Sequence, residues 1–232
     1  MKLLSIDWDY FFPCSDFYDW GANEENSLFY EMIWSTRCNH KHMVTHKKVL
    51  DEYLPTVPEN FWSIVKNRPP LFIADSHMLI LQVMETITFC EGIIHNLDAH
   101  HDYFYQYDDS LRVDCSNWGK YILSQGIAKE LHLHYPKWRK QTKEGYEHQL
   151  TSVSYDLPDP QDYDAIFVCR SSCWTPPWSD GDFNSFIAKP DFDIECLDSR
   201  LLVDRHPNMQ EAKVIAEQMD KIISDMMKGT RV

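Results

Sequence analysis

The chain has 232 residues, 44% of them hydrophobic and 14% aromatic, which suffices to fill the core of one domain spanning 1–232. Only 7 glycines and 25% charged residues exclude a disordered or low-complexity chain. A formal net charge of −14 argues against binding nucleic acid through its phosphates; it suits cationic partners such as basic peptides or metal ions, with plain solubility the favoured reading.

Lys2–Ile6 (KLLSI) is a short apolar run that leads into Asp7-Trp8-Asp9. Runs of this length bounded by polar residues read as buried strands. Asp7 interrupts the run too early for a signal peptide, and no stretch approaches the ~20 apolar residues of a membrane span. The cysteines at 14, 38, 90, 115, 169, 173 and 196 are odd in number and lack a framework spacing. A soluble, cytoplasmic protein with no membrane partner is therefore expected.

Cys38, His40, His42 and His46 lack zinc-finger spacing and read as an ordinary polar stretch. Pro70–Ala74 (PLFIA) is the second strand and leads into Asp75-Ser76-His77. Leu79–Phe89 reads as a core-facing helix. Gly92–Leu97 (GIIHNL) is the third strand and leads into Asp98-Ala99-His100-His101-Asp102. Trp118–Gln125 reads as a helix that Gly126 ends, and Glu130–His134 (ELHLH) as a strand with period-two alternation. Residues 136–164 read as an irregular excursion, and the basic Lys137–Lys143 stretch within it as a solvated loop. Ala165–Val168 (AIFV) is the last strand. Cys169 and Cys173 after it do not have the redox C-x-x-C spacing. Ala212, Ile215, Met219, Ile222 and Met226 follow helical spacing, with Asn208 as cap and Gly229 as stop. Strands alternating with helices predict an α/β fold with a mostly parallel sheet, whose sites lie at the carboxyl ends of its strands.

The acidic and imidazole groups fall at those ends. Asp98, His100 and Asp102 share parity, as do Asp7 and Asp9, so each set is expected on one face. His77 adds an imidazole from a third strand end. Alone, Asp7-x-Asp9 reads as a helix cap and His77 as a hydrogen-bonded core residue. The five-residue string at 98–102 is the stronger signal, and the three support one another. Four carboxylates and two imidazoles form a hard O/N set that suits Mn²⁺, with Zn²⁺, Fe²⁺ or Co²⁺ as alternatives. The four negative charges balance two divalent ions. Without metal the carboxylates would repel one another and at least one should take up a proton.

These residues resemble the arginase/deacetylase (ureohydrolase) superfamily. Asp98–Asp102 matches its Asp-Ala-His-x-Asp motif, Ser5–Asp9 its Ser-Phe-Asp-x-Asp motif, and Ala74–His77, loosely, its Gly-Gly-Asp-His-Ser motif. The resemblance implies a three-layer αβα sandwich. It also implies a dinuclear centre of two Mn²⁺ ions held by Asp7, Asp9, His77, Asp98, His100 and Asp102. The N-terminal position of Asp7-Trp8-Asp9 implies a circularly permuted order. With Asp-Trp-Asp-Tyr-Phe-Phe and Cys-Trp-Thr-Pro-Pro-Trp, it makes the chain most like the peptide arginases, which convert arginine in ribosomal precursor peptides to ornithine and urea. Asp7 and Asp98 would bridge the metals, His77 and Asp102 would complete one site, and His100 and Asp9 the other. A shared hydroxide would attack the guanidinium carbon, and the catalytic Asp102 would pass the proton to the leaving amine.

Two family roles lack a clear counterpart. No glutamate near 166–180 matches the family's substrate carboxylate. Asp180 is the nearest candidate for the guanidinium, with Asp16 and Asp19 as rivals, and base rates favour loop roles for all three. The 112–119 stretch has no histidine for a proton shuttle, and parity turns His101 away. Aromatic residues near 8–20 and 174–178 serve equally as a peptide groove or as core. The alternatives to a peptide arginase are a small-molecule ureohydrolase or deacetylase of the same fold, and a non-catalytic metal-binding module.

Overall fold

A computed structural model describes residues 1–13, 34, 54–103, 112–139, 149–202, 205 and 221. Seven strands form one all-parallel sheet: β1 (Lys2–Asp7), β2 (Leu71–Ala74), β3 (Gly92–Leu97), β4 (Ala128–His134), β5 (Ser152–Ser154), β6 (Ala165–Cys169) and β7 (Ile194–Cys196). Their order is β5-β4-β3-β1-β6-β2-β7. The fold class is thus α/β. β1, β2 and β6 are covered on both faces, which is why each reads as an unbroken apolar run.

Two hydrophobic clusters lie on opposite faces. Leu3, Phe72, Ala74, Ile94, Leu131, Leu133 and Phe167 point into one, with Ile80, Val83 and Met84 of helix α1 (Ile80–Thr86) and Trp118 and Ile122 of α2 (Trp118–Ser124). Leu4, Ile6, Leu71, Ile73, Leu97, Ile166 and Val168 point into the other. They meet the aromatics of a 3-10 turn (Trp8–Phe11) and Phe183, Phe186 and Ile187 of α3 (Asp180–Ala188). Each fully buried Leu, Ile or Phe stabilises by about 1.5–3 kcal/mol.

The differences from sequence have physical causes. The predicted 79–89 helix is a 3-10 turn (His77–Leu79) followed by α1. It stops early because Thr88 adopts φ 54 and the Phe89 N–H reaches back to the Met84 carbonyl at 2.8 Å, a closure without the usual glycine. Gly126, at φ 67, ends α2 as expected. The sequence hides β5 and β7, three-residue exposed edge strands, and the irregular 136–164 excursion contains β5. It also hides α3, whose buried residues follow a run of prolines. The predicted C-terminal helix, the Cys38–His46 stretch, Asp16 and Asp19 lie outside the described residues. Among the described residues no helix is long and apolar enough to cross a membrane.

After β1 the chain goes to β2 on one side and later to β3 on the other. The carboxyl end of β1 is therefore the place where connections diverge and where parallel sheets open a crevice.

Candidate metal centre

Asp7 ends β1. Its Oδ1 accepts the Asp9 N–H at 2.9 Å and so caps the Trp8–Phe11 turn. Asp9 therefore belongs to a turn and not to a strand. Its Oδ1 accepts the Ala99 N–H at 3.2 Å, which ties the first motif to the one after β3. β3 stops at Leu97. Asp98 Oδ1 then accepts the His100 N–H at 2.7 Å, and Asp98 Oδ2 accepts the Asn96 side-chain amide at 3.1 Å. Asp102 sits at φ 47. Tight turns, not strand parity, therefore gather Asp98, His100 and Asp102, although all three do converge with the first motif. His101 is buried, its Nδ1 accepting the Tyr103 N–H at 3.0 Å.

His77 follows β2 at the start of the 3-10 turn. Its Nε2 lies 2.7 Å from Ser5 Oγ. Its Nδ1 faces Asp7 Oδ2 at 3.2 Å, Asp98 Oδ2 at 3.2 Å and Asp102 Oδ2 at 3.0 Å. A ring nitrogen carries at most one hydrogen and cannot satisfy three carboxylates. Ligand atoms about 2.1 Å from one octahedral cation, however, stand about 3 Å apart along each edge. The same holds around the second imidazole. His100 Nδ1 is 2.8 Å from Asp9 Oδ2, yet that buried oxygen receives no hydrogen bond. The contact has the distance of two ligands around an ion and lacks the alignment of a hydrogen bond. Asp7, His77 and Asp98 form one group, and Asp9, Asp98 and His100 another. Within each, the ligand atoms lie within 4.8 Å of one another, and Asp98 is shared. The donor chemistry and spacing fit divalent cations.

The electrostatics match an assembly that needs positive charge. Burial, then repulsion from Asp9 and Asp98, holds the Asp7 carboxyl well above its ordinary range. Burial and Asp98 push Asp102 up to about 6. For Asp98, burial is outweighed by His77 and His100, which hold it low. For His77, burial is outweighed by the carboxylates of Asp102, Asp7 and Asp98, which draw a proton onto the ring.

Asp180 is not brought to this cluster by any described contact. Its carboxylate takes Arg205 through both oxygens and Arg170 Nη1 at 3.4 Å, so it is already committed to guanidinium groups of the chain itself. Arg170 in turn pairs with fully buried Asp75 at 2.8 Å, and Ser172 Oγ also donates to Asp75. These residues join the ends of β2 and β6 to the start of α3.

Sequence reasoning missed the supports of the ligands: Ser5, Asn96, Trp118, Gly119 and Trp174. Ser5 shares parity with Asp7 and Asn96 with Asp98, a signal that could have found both. Trp174 comes from the turn after β6, and its ring lies 4.3 Å from that of His100. The His100 side chain is 17% exposed and that of His77 1%, so His100 is the imidazole nearer solvent. No family model, curated protein or solved structure matches this chain.

Proposed function

We propose that this protein is a peptide arginase: a hydrolase that uses two divalent cations, Mn²⁺ best suiting the donors, to convert arginine side chains of a precursor peptide to ornithine and urea. The observation that carries the reading is the convergence of Asp7, Asp9, His77, Asp98, His100 and Asp102, with His77 Nδ1 3.0–3.2 Å from three carboxylate oxygens. The all-parallel sheet with helices on both faces fits a three-layer αβα, arginase-like architecture in permuted order.

In this reading His77 and Asp102 would hold one cation, Asp9 and His100 the other, and Asp7 and Asp98 would serve both. Bound cations lower the pKa of water and polarise the substrate. The chain's own groups do the rest. Water adds to the guanidinium carbon, the bond from that carbon to the side-chain nitrogen breaks, and urea leaves. Asp102 carries the proton to the departing amine through Oδ1, since Oδ2 is held by the Trp118 indole N–H at 2.9 Å. His100 is the more exposed of the two imidazoles, and an extended peptide would reach the centre from its side. Asp180 would have to release Arg205 to serve as guanidinium partner.

The test is incubation of the purified chain and Mn²⁺ with an arginine-containing peptide, with free arginine, agmatine and an acetylated amine in parallel. Urea and an ornithine-containing peptide support the proposal. Turnover of a small molecule alone moves the reaction to a small-molecule ureohydrolase or deacetylase. No turnover of any of them, with metal bound, leaves a metal-binding module.

A further inference from the structure

We propose that Trp118 and Gly119 are positioning residues that together fix Asp102 toward its cation; this rests on the metal-centre reading above. Three constraints meet on this one ligand. The Trp118 indole N–H donates to Asp102 Oδ2 at 2.9 Å, and that same oxygen stands 3.0 Å from His77 Nδ1. The Gly119 N–H donates to the Asp102 carbonyl at 2.9 Å. Asp102 itself holds a left-handed backbone at φ 47, which turns its carboxylate back toward Asp98 and His77.

The residue types suit this task. An indole is a donor only, so it can orient a carboxylate without offering a lone pair that competes for the ion. It is also neutral, so the carboxylate keeps its charge for the cation. Trp118 is fully buried, and its ring lies 4.8 Å from the His77 ring at 34°, so one side chain both orients one ligand and packs against another. Gly119 sits at a close approach. A Cβ there would stand 3.0 Å from the Asp102 carbonyl oxygen and 3.1 Å from Leu131 Cδ2. A larger residue there would crowd the Asp102 carbonyl, which would have to give by a few tenths of an ångström. The adjacent pair thus holds the ligand by its side chain and by its main chain, from an element that contributes no ligand itself.

Partners of this kind set metal affinity by about 10–100-fold. Trp118→Phe keeps most of the ring volume and deletes the N–H. The experiment is Mn²⁺ titration of wild type, Trp118→Phe and Gly119→Ala by calorimetry, with Mn²⁺ EPR of each loaded protein and circular dichroism as the check of folding. The expected result is two ions in wild type. In folded Trp118→Phe, one site should be weakened at least about tenfold and the other unchanged, so that at limiting metal a mononuclear spectrum replaces the coupled-pair signal. General loosening of the core would lower the melting temperature without selecting one of two sites. If wild type binds two ions and Trp118→Phe binds both with unchanged affinity, the clamp is overturned and the metal centre stands. If wild type binds none, the metal centre itself falls. If Trp118→Phe does not fold, Gly119→Ala decides: a selectively weakened site supports the clamp, and unchanged affinity overturns it.

Discussion

Ser5 Oγ stands 2.7 Å from His77 Nε2, and this contact determines which ring nitrogen is left to face the three carboxylates. In the metal-loaded protein, an Nε2 hydrogen donated to the hydroxyl would present the Nδ1 lone pair to the cation, the usual arrangement of a ligating histidine. Ser5→Ala removes the acceptor at a fully buried position. It should lower stability by about 1 kcal/mol and Mn²⁺ affinity by about tenfold. Urea unfolding and metal titration check the two numbers separately. Unchanged affinity would mean that the hydroxyl plays no part in orienting the ring.

Metal and protons compete for the same carboxylates. Asp102 is pushed up to about 6 by burial and Asp98, and burial and acidic neighbours also hold Asp7 well above its ordinary range. An acid raised in the folded state binds more protons there than in the unfolded chain. The metal-free protein therefore loses stability as pH rises from about 4 through 6. Cations replace those protons. At about a hundredfold excess over its dissociation constant, Mn²⁺ should add about 2.7 kcal/mol at pH 7.5. The gain in melting temperature should be far smaller at pH 5. Equal gains at the two pH values would contradict this coupling.

The Arg170–Asp75 pair is 2.8 Å long, with the two side chains 4% and 0% exposed. Arg170→Ala leaves Asp75 buried without its charge partner and should destabilise by about 3–5 kcal/mol. Replacing both residues with apolar ones of similar volume should recover much of that loss. The urea midpoints of the single and double variants give the comparison. A single variant as stable as wild type would remove the pair from the account of the fold.

The position of the site was legible because chemistry and strand ends coincide in the sequence: Asp7, His77 and Asp98 each follow an apolar run that became β1, β2 or β3. The geometry that completes it was not. Asp9 and Asp102 reach the cluster through a 3-10 turn and a positive φ, and neither leaves a periodic trace. Trp118 and Gly119 appear in sequence only as helix residues, because their partner Asp102 is sixteen positions away from Trp118 and held by tertiary contact. Edge strands β5 and β7 are short and solvent-facing, so apolar patterning does not mark them. Asp180 looks in sequence like an unassigned carboxylate, and its bonds to Arg205 and Arg170 become visible only when the ends of β6 and α3 meet.

A second histidine group makes stability depend on pH in the acid range. The Lys2 ammonium donates to the Gln161 carbonyl oxygen at 2.7 Å, which fixes the amide so that its nitrogen donates to His95 Nε2 at 3.1 Å. His95 Nδ1–H then donates to His134 Nε2 at 3.0 Å, and His134 Nδ1–H to the Asp156 carbonyl at 2.8 Å. Both rings are neutral in this chain of bonds. Burial, then His134, His132 and Lys2, bring His95 down to about 4. The unfolded chain binds more protons between that value and about 6.5, so this stability is lost as pH falls through the window. Between pH 7 and 4.5, wild type should lose about 1 kcal/mol more than His95→Gln, a figure discounted for the partial exposure of the ring. Protonation of the metal ligands is common to both proteins and cancels in the difference. Identical losses in the two proteins would contradict the assignment.

The most direct measurement of the central claim is the Mn²⁺ content of the purified chain and of Asp98→Asn after equilibrium dialysis, read by elemental analysis. Asp98 belongs to both ligand groups. Two ions per chain in wild type and none in a folded Asp98→Asn are the predicted result. No bound metal in wild type, or two ions retained by the variant, would contradict it.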